Sequence, residues 1–77
     1  MNTINETLDY ILKAIVPESE KVSIEEHQEG EMLILEIIAP TEIIGRIIGK
    51  EGKIIKSIRT ILNLSFPQIR FLIKIKE

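Results

Sequence analysis

The sequence predicts an α+β fold in the order α-β-β-α-α-β, with a mixed three-stranded sheet covered by helices on one face. Three observations predict it. Apolar residues recur at helical spacing in three separate segments, and three further segments carry the alternation or near-continuous apolar character of strands. The stretch between the second and third strands holds two helices, long enough to return the chain parallel to its neighbour, whereas the first two strands are joined as an antiparallel hairpin.

Taken in order, Thr3-x-x-Glu6 is a capping-box pattern, followed by Ile4, Leu8, Ile11, Leu12 and Ile15 at helical spacing, so the first helix covers roughly residues 4–16. Pro17 helps to end it. Lys21 to His27 alternates Val22 and Ile24 inward with Ser23 and Glu25 outward, and Met32 to Ile38 is apolar at nearly every position, as in a strand buried more fully than its neighbour. Gly30 marks the turn, and His27-Gln28-Glu29-Gly30 predicts a loop longer than the commonest two-residue hairpins. On the middle strand Met32, Ile34 and Ile38 fall opposite Leu33, Leu35 and Ile37, leaving an apolar strip on the face without helices, open to water or to a partner.

After Pro40, Thr41 is placed to cap a short helix with Glu42 in its first turn and Ile43, Ile44, Ile47 and Ile48 along it, ending at Gly49. From Lys53 a third helix presents Ile54, Ile55, Ile58, Ile61 and Leu62 as one stripe, with Lys53, Lys56 and Arg59 on its other face. Asn63 to Pro67 is predicted as a loop. Gln68 to Lys76 then alternates Ile69, Phe71, Ile73 and Ile75 with Arg70, Leu72, Lys74 and Lys76, the pattern of a half-buried strand.

Composition narrows the function. The chain has 77 residues and no Cys, which excludes a disulfide scaffold and a thiolate metal site and leaves room for one domain. It carries no apolar stretch of membrane-spanning length and no signal-peptide pattern, so the expectation is a cytoplasmic protein without a membrane partner. The net charge of −2 hides a division: residues 1–42 hold ten acids against Lys13 and Lys21, while residues 43–77 hold eight Lys and Arg against Glu51 and Glu77. Such a dipole points to one localised anion-binding face, with solvation of helix and strand backs as the plainer alternative.

The chemistry concentrates in Ile47-Ile48-Gly49-Lys50-Glu51-Gly52-Lys53-Ile54-Ile55-Lys56-Ser57-Ile58. Two glycines three apart between short helices allow a tight turn and a close backbone approach. Gly52 precedes a helix N-terminus, whose amides and dipole favour phosphate, and Lys50, Lys53 and Lys56 add positive charge. An αα-turn with purely structural glycines is the plain alternative. Other signatures fail. Gly45 to Lys50 has one residue too few between its glycines for a P-loop, and Glu51 stands where Ser or Thr must bind magnesium. Gly45-x-x-x-Gly49 lies in a helix too short and charged for a membrane dimer motif. His27, the single histidine, reads as a solvated loop residue, and the carboxylates of Glu25-Glu26 and Glu29-Gly30-Glu31 as solvated hairpin charge.

The segment resembles the KH-domain signature, an aliphatic-Ile-Gly-x-x-Gly-x-x-Ile run with a further aliphatic three residues on, matched by Ile47, Ile48, Gly49, Gly52, Ile55 and Ile58. The element order is similar to the type II arrangement of that family. The resemblance implies that residues 1–77 form a single KH domain, similar to small free-standing bacterial members. It implies a non-catalytic, cofactor-free module that binds single-stranded RNA, forms a homodimer and pairs with a second KH-containing protein. By the same resemblance Gly49, Lys50, Glu51 and Gly52 would clamp the RNA backbone, Ile44, Ile47, Ile48 and Ile55 would line an aliphatic groove for bases, and Lys53 and Lys56 would contact phosphates. Tyr10, Phe66 and Phe71 are too few and scattered for a stacking platform. Glu51 departs from an ideal clamp and predicts modest affinity. The competing reading is a protein-interaction or dimerisation module on the same fold with little RNA binding.

Overall fold

A computed structural model describes residues 3–76. The elements are α1 (Ile4–Ile15), a 3-10 turn (Ser19–Lys21), β1 (Ser23–Glu29), β2 (Met32–Ile38), α2 (Thr41–Ile48), a second 3-10 turn (Lys50–Gly52), α3 (Lys53–Ser65) and β3 (Phe71–Lys76). The α-β-β-α-α-β order therefore holds. The sheet runs β1-β2-β3, with β1 antiparallel and β3 parallel to β2, so the middle strand is the apolar one, as its composition requires.

Local chemistry sets each boundary. The Glu6 amide donates to Thr3 Oγ1 at 3.0 Å and the Thr3 amide to Glu6 Oε1 at 3.2 Å, completing the capping box of α1. Lys21 lies in the first 3-10 turn, so β1 starts two residues later than its alternation suggests and runs on to Glu29. Glu29 pairs with Met32, which leaves a two-residue hairpin loop of Gly30 and Glu31 instead of a longer one. Gly30 takes φ +61°, at the first central position, where hairpin turns of this length favour glycine. His27 is accordingly a strand residue, 3.5 Å from Glu29, and not a loop residue.

Thr41 is already helical, and Pro40 occupies the N-cap with its carbonyl accepting from the Ile43 and Ile44 amides. The hydroxyl of Thr41 does not cap the helix. At the other end α3 continues through Asn63, Leu64 and Ser65, because the amides there still find i−4 carbonyls up to Phe66, and β3 begins only at Phe71.

The core lies between the helices and one face of the sheet. Leu8, Leu12, Ile43, Ile44, Ile47, Ile58 and Leu62 from the helices meet Leu35, Ile37 and Ile73 from the strands. The opposite sheet face is not uniformly open. Ile34 is only 1% exposed although it stands outside that core, flanked by His27 on β1 and Leu72 on β3, while Met32 and Leu72 are exposed. Among the described residues no helix is long and apolar enough to cross a membrane.

Candidate nucleic-acid interface

The loop between α2 and α3 is built from backbone conformations that side chains resist. Gly49 ends α2 at φ 77°, ψ 176°, its amide still bonded to the Gly45 carbonyl at 3.0 Å. Glu51 is the one described non-glycine with positive φ, at 58°, and Gly52 follows at 74° as the N-cap of α3. The Gly52 amide bonds the Gly49 carbonyl at 3.1 Å, closing a compact hairpin of four residues. A Cβ on Gly49 would lie 2.6 Å from Ile54 Cγ1 and 2.9 Å from Ile54 Cβ, so glycine is needed for close approach, though to a side chain and not to a backbone. At Gly52 there is room, and its φ alone selects glycine.

This geometry pushes the middle of the loop outward. Lys50, Glu51, Lys53 and Lys56 are exposed, and Gly49 and Gly52 are half-buried beneath them. No side chain caps α3, so the positive end of its dipole opens onto the loop. Lys53 Nζ stands 3.9 Å from Glu51 Oε1, a loose and solvated pair, whereas Lys50 and Lys56 have no ion pair among the described residues. Ser57 Oγ and Thr60 Oγ1 donate back to the carbonyls of Lys53 and Lys56 and are thereby occupied within the helix.

The four groove candidates separate into two pairs. Ile48 and Ile55 are half-buried at the edge of the core and keep surface for an apolar contact. Ile44 and Ile47, at 3% and 0% exposure, have none to offer, because both point from α2 into the core. Their burial sets them in the core beneath the loop, apart from the two candidates that keep exposed surface.

Two features escaped the sequence reading. Ile54 does not join the core; it seats Gly49 and then continues outward, 39% exposed. Arg46, three residues before Gly49, donates from Nη1 to Glu18 Oε1 at 2.9 Å across 28 positions of sequence. Glu18 is held below the ordinary glutamate pKa, first by a backbone hydrogen bond at Glu18 itself and then by the Arg46 bond. Among the described residues no group of three or more His, Asp or Glu could hold a metal ion.

Two helices joined by a Gly-x-x-Gly hairpin, laid on a mixed sheet in the order α-β-β-α-α-β, define a type II KH fold. The family model described as KhpA/KhpB, KH domain, matches residues 5–68. The chain is 46% identical to the RNA-binding protein KhpA of Chlamydia pneumoniae over 59 residues, covering 77% of this chain and 76% of the relative. It is 37% identical to the RNA-binding protein KhpA of Thermotoga maritima over 60 residues, covering 78% and 80%. The chain belongs to the KhpA/KhpB KH-domain family, which is non-enzymatic. No solved structure matches it significantly.

Proposed function

We propose that residues 1–77 act as a single KH domain that binds single-stranded RNA without catalysis, Gly49 to Gly52 clamping the backbone. The observation that carries this reading is the outward hairpin with Lys50 at its tip, set beside Lys53, Lys56 and the uncapped end of α3. Ile48 and Ile55 supply the apolar edge on which bases lie. The relatives' description as RNA-binding proteins points the same way. Glu51 competes with phosphate for Lys53, which keeps affinity per domain modest.

One weak site gains from a second copy, because binding of the same strand by both becomes intramolecular. Ile54, Ser57, Ile61 and Leu64 form a stripe at spacings of three, four and three along α3, and Leu64 is 77% exposed. That stripe offers more apolar surface than the outer sheet face, where Ile34 is already covered, so it is the better seat for a homodimer or for a KhpB-like KH partner. The role is then post-transcriptional regulation in the cytoplasm. The same stripe is also what a protein-interaction module with little RNA binding would need.

Replacing Lys50 and Glu51 together by Asp separates the two readings. The tip loses its only cation and becomes doubly negative, and at about 6 Å each added charge repels a phosphate by roughly 1–3 kcal/mol for effective dielectrics between those of water and the protein surface. The variant keeps its circular dichroism and loses RNA binding. A folded variant that binds at wild-type strength excludes the clamp, and a wild type that shows no salt-dependent binding to single-stranded RNA leaves the interaction module.

A further inference from the structure

We infer that Glu51 reads the ribose 2′-hydroxyl, so that the clamp selects RNA over single-stranded DNA of the same sequence. This deepens the RNA-binding reading above and rests on it. The 2′-hydroxyl is the one hydrogen-bond donor along a ribose–phosphate backbone, because the phosphate, ester and ring oxygens only accept. An ionised carboxylate only accepts as well. Set inside a backbone clamp, Glu51 therefore has a single attractive partner on that backbone, and deoxyribose lacks it. Against DNA the same carboxylate meets phosphate alone and repels it.

The geometry presents the carboxylate for this contact. Glu51 stands between Gly49 and Gly52 at φ 58°, in the left-handed region that glycine or asparagine enters more readily. Its side chain is 73% exposed, and among the described residues it takes part in no hydrogen bond. Its one ion-pair contact there is Lys53 Nζ, 3.9 Å from Oε1. At that separation the ammonium draws the carboxylate to one side of the loop without occupying its lone pairs. In RNA the carbon bearing the 2′-hydroxyl adjoins the carbon whose oxygen carries the 3′ phosphate, so each nucleotide offers a donor and an anion side by side. Glu51 and Lys53 offer an acceptor and a cation side by side, which matches both groups of one nucleotide. The acid that weakens the clamp for a bare polyanion is thereby the group that tells one sugar from the other, partly by standing unpaired against the wrong one.

The test measures binding, in EDTA, of a labelled eight-nucleotide single-stranded RNA of mixed sequence to the full wild-type chain and to Glu51→Ala. The same octamer is also made with deoxyribose, uracil retained, and with 2′-fluororibose, which keeps the ribose pucker and lacks the donor. Loss of one acid raises affinity for every polyanion, so the quantity read is the ratio of affinities between sugars. The wild type prefers RNA to DNA, and Glu51→Ala reduces that ratio about two- to ten-fold, the range of one net hydrogen bond. On the wild type the 2′-fluoro octamer binds like DNA, and in Glu51→Ala its distance from RNA narrows by the same factor. Should Glu51→Ala lose its circular dichroism, Glu51→Gly removes the same carboxylate and accepts the positive φ. The inference is overturned if the variant leaves the ratio unchanged, if the 2′-fluoro octamer matches RNA on the wild type, or if the wild type binds RNA and DNA equally. It is also overturned if the preference arises only when magnesium replaces EDTA, which would make Glu51 one end of a cation bridge. Wild-type protein that binds none of the octamers removes the clamp itself and this contact with it, an outcome distinct from binding without discrimination.

Discussion

Gly49→Ala tests the architecture of the loop at its tightest point. The new methyl would sit 2.6 Å from Ile54 Cγ1 and 2.9 Å from both Cβ and Cδ1 of the same residue. Rotating Ile54 moves Cγ1 and Cδ1 but not Cβ, so the backbone between α2 and α3 has to shift. Overpacking of this type costs about 1–3 kcal/mol. The backbone at φ 77°, ψ 176° is open almost only to glycine and adds about 1–3 kcal/mol more. The sum, roughly 2–6 kcal/mol, is a large part of the 4–11 kcal/mol that a domain of about this size commonly holds. Two other glycines calibrate it. Gly52→Ala meets nothing closer than Lys56 Cε at 3.7 Å and costs only the left-handed conformation, about 1–2 kcal/mol. Gly45→Ala, exposed inside α2 with no atom within 4 Å, gains about 0.5–1 kcal/mol of helix propensity. Urea unfolding followed by circular dichroism at one protein concentration ranks the three midpoints. A Gly49→Ala midpoint equal to or above that of Gly52→Ala would refute the close packing on Ile54.

Three further outcomes follow from the same geometry. Ile61 is 45% exposed on α3, so Ile61→Glu leaves stability within about 1 kcal/mol yet yields a monomer by sedimentation, with weaker RNA binding; a wild type that is monomeric at high micromolar concentration, or a dimer undisturbed in the variant, contradicts the α3 interface. RNA affinity falls with salt at a log–log slope of about −2 to −3, as expected for a few contacts at about −0.7 each, and a slope steeper than about −5 would bring Arg70, Lys74 and Lys76 or a second domain into the site. Because Glu18 has a depressed pKa in the folded protein, its ionised form stabilises the fold above the ordinary glutamate value, and that contribution is lost as pH falls through the lower folded value. Titration of the Glu18 carboxyl by NMR places it below the ordinary glutamate value, and Arg46→Gln moves it upward; a Glu18 carboxyl that Arg46→Gln leaves unmoved contradicts the pair.

What the sequence made legible was local. Thr3 and Glu6 announce their capping box because both partners lie within one turn, and Met32 to Ile38 identifies a central strand because only burial on both sides tolerates so few polar residues. Asn63 and Ser65 have weak helix propensity and suggest a loop, but the i−4 bonds of the preceding turn carry α3 through them. Ile44 and Ile48 carry the same side chain, and whether one lines a surface or fills a core depends on the sheet beneath α2. Ile34 is covered by neighbours that β1 and β3 bring from far along the chain. Glu18 and Arg46 are likewise joined only by folding, and no periodicity could have paired them.

The most direct measurement of the clamp is an amide NMR titration of the wild-type chain with the single-stranded octamer. The account predicts that the shifted resonances cluster from Ile48 to Lys56, through Gly49, Lys50, Glu51 and Gly52, with Lys74 and Lys76 on the last strand unmoved. A cluster on β3, or no change at the loop while RNA is bound, would contradict it.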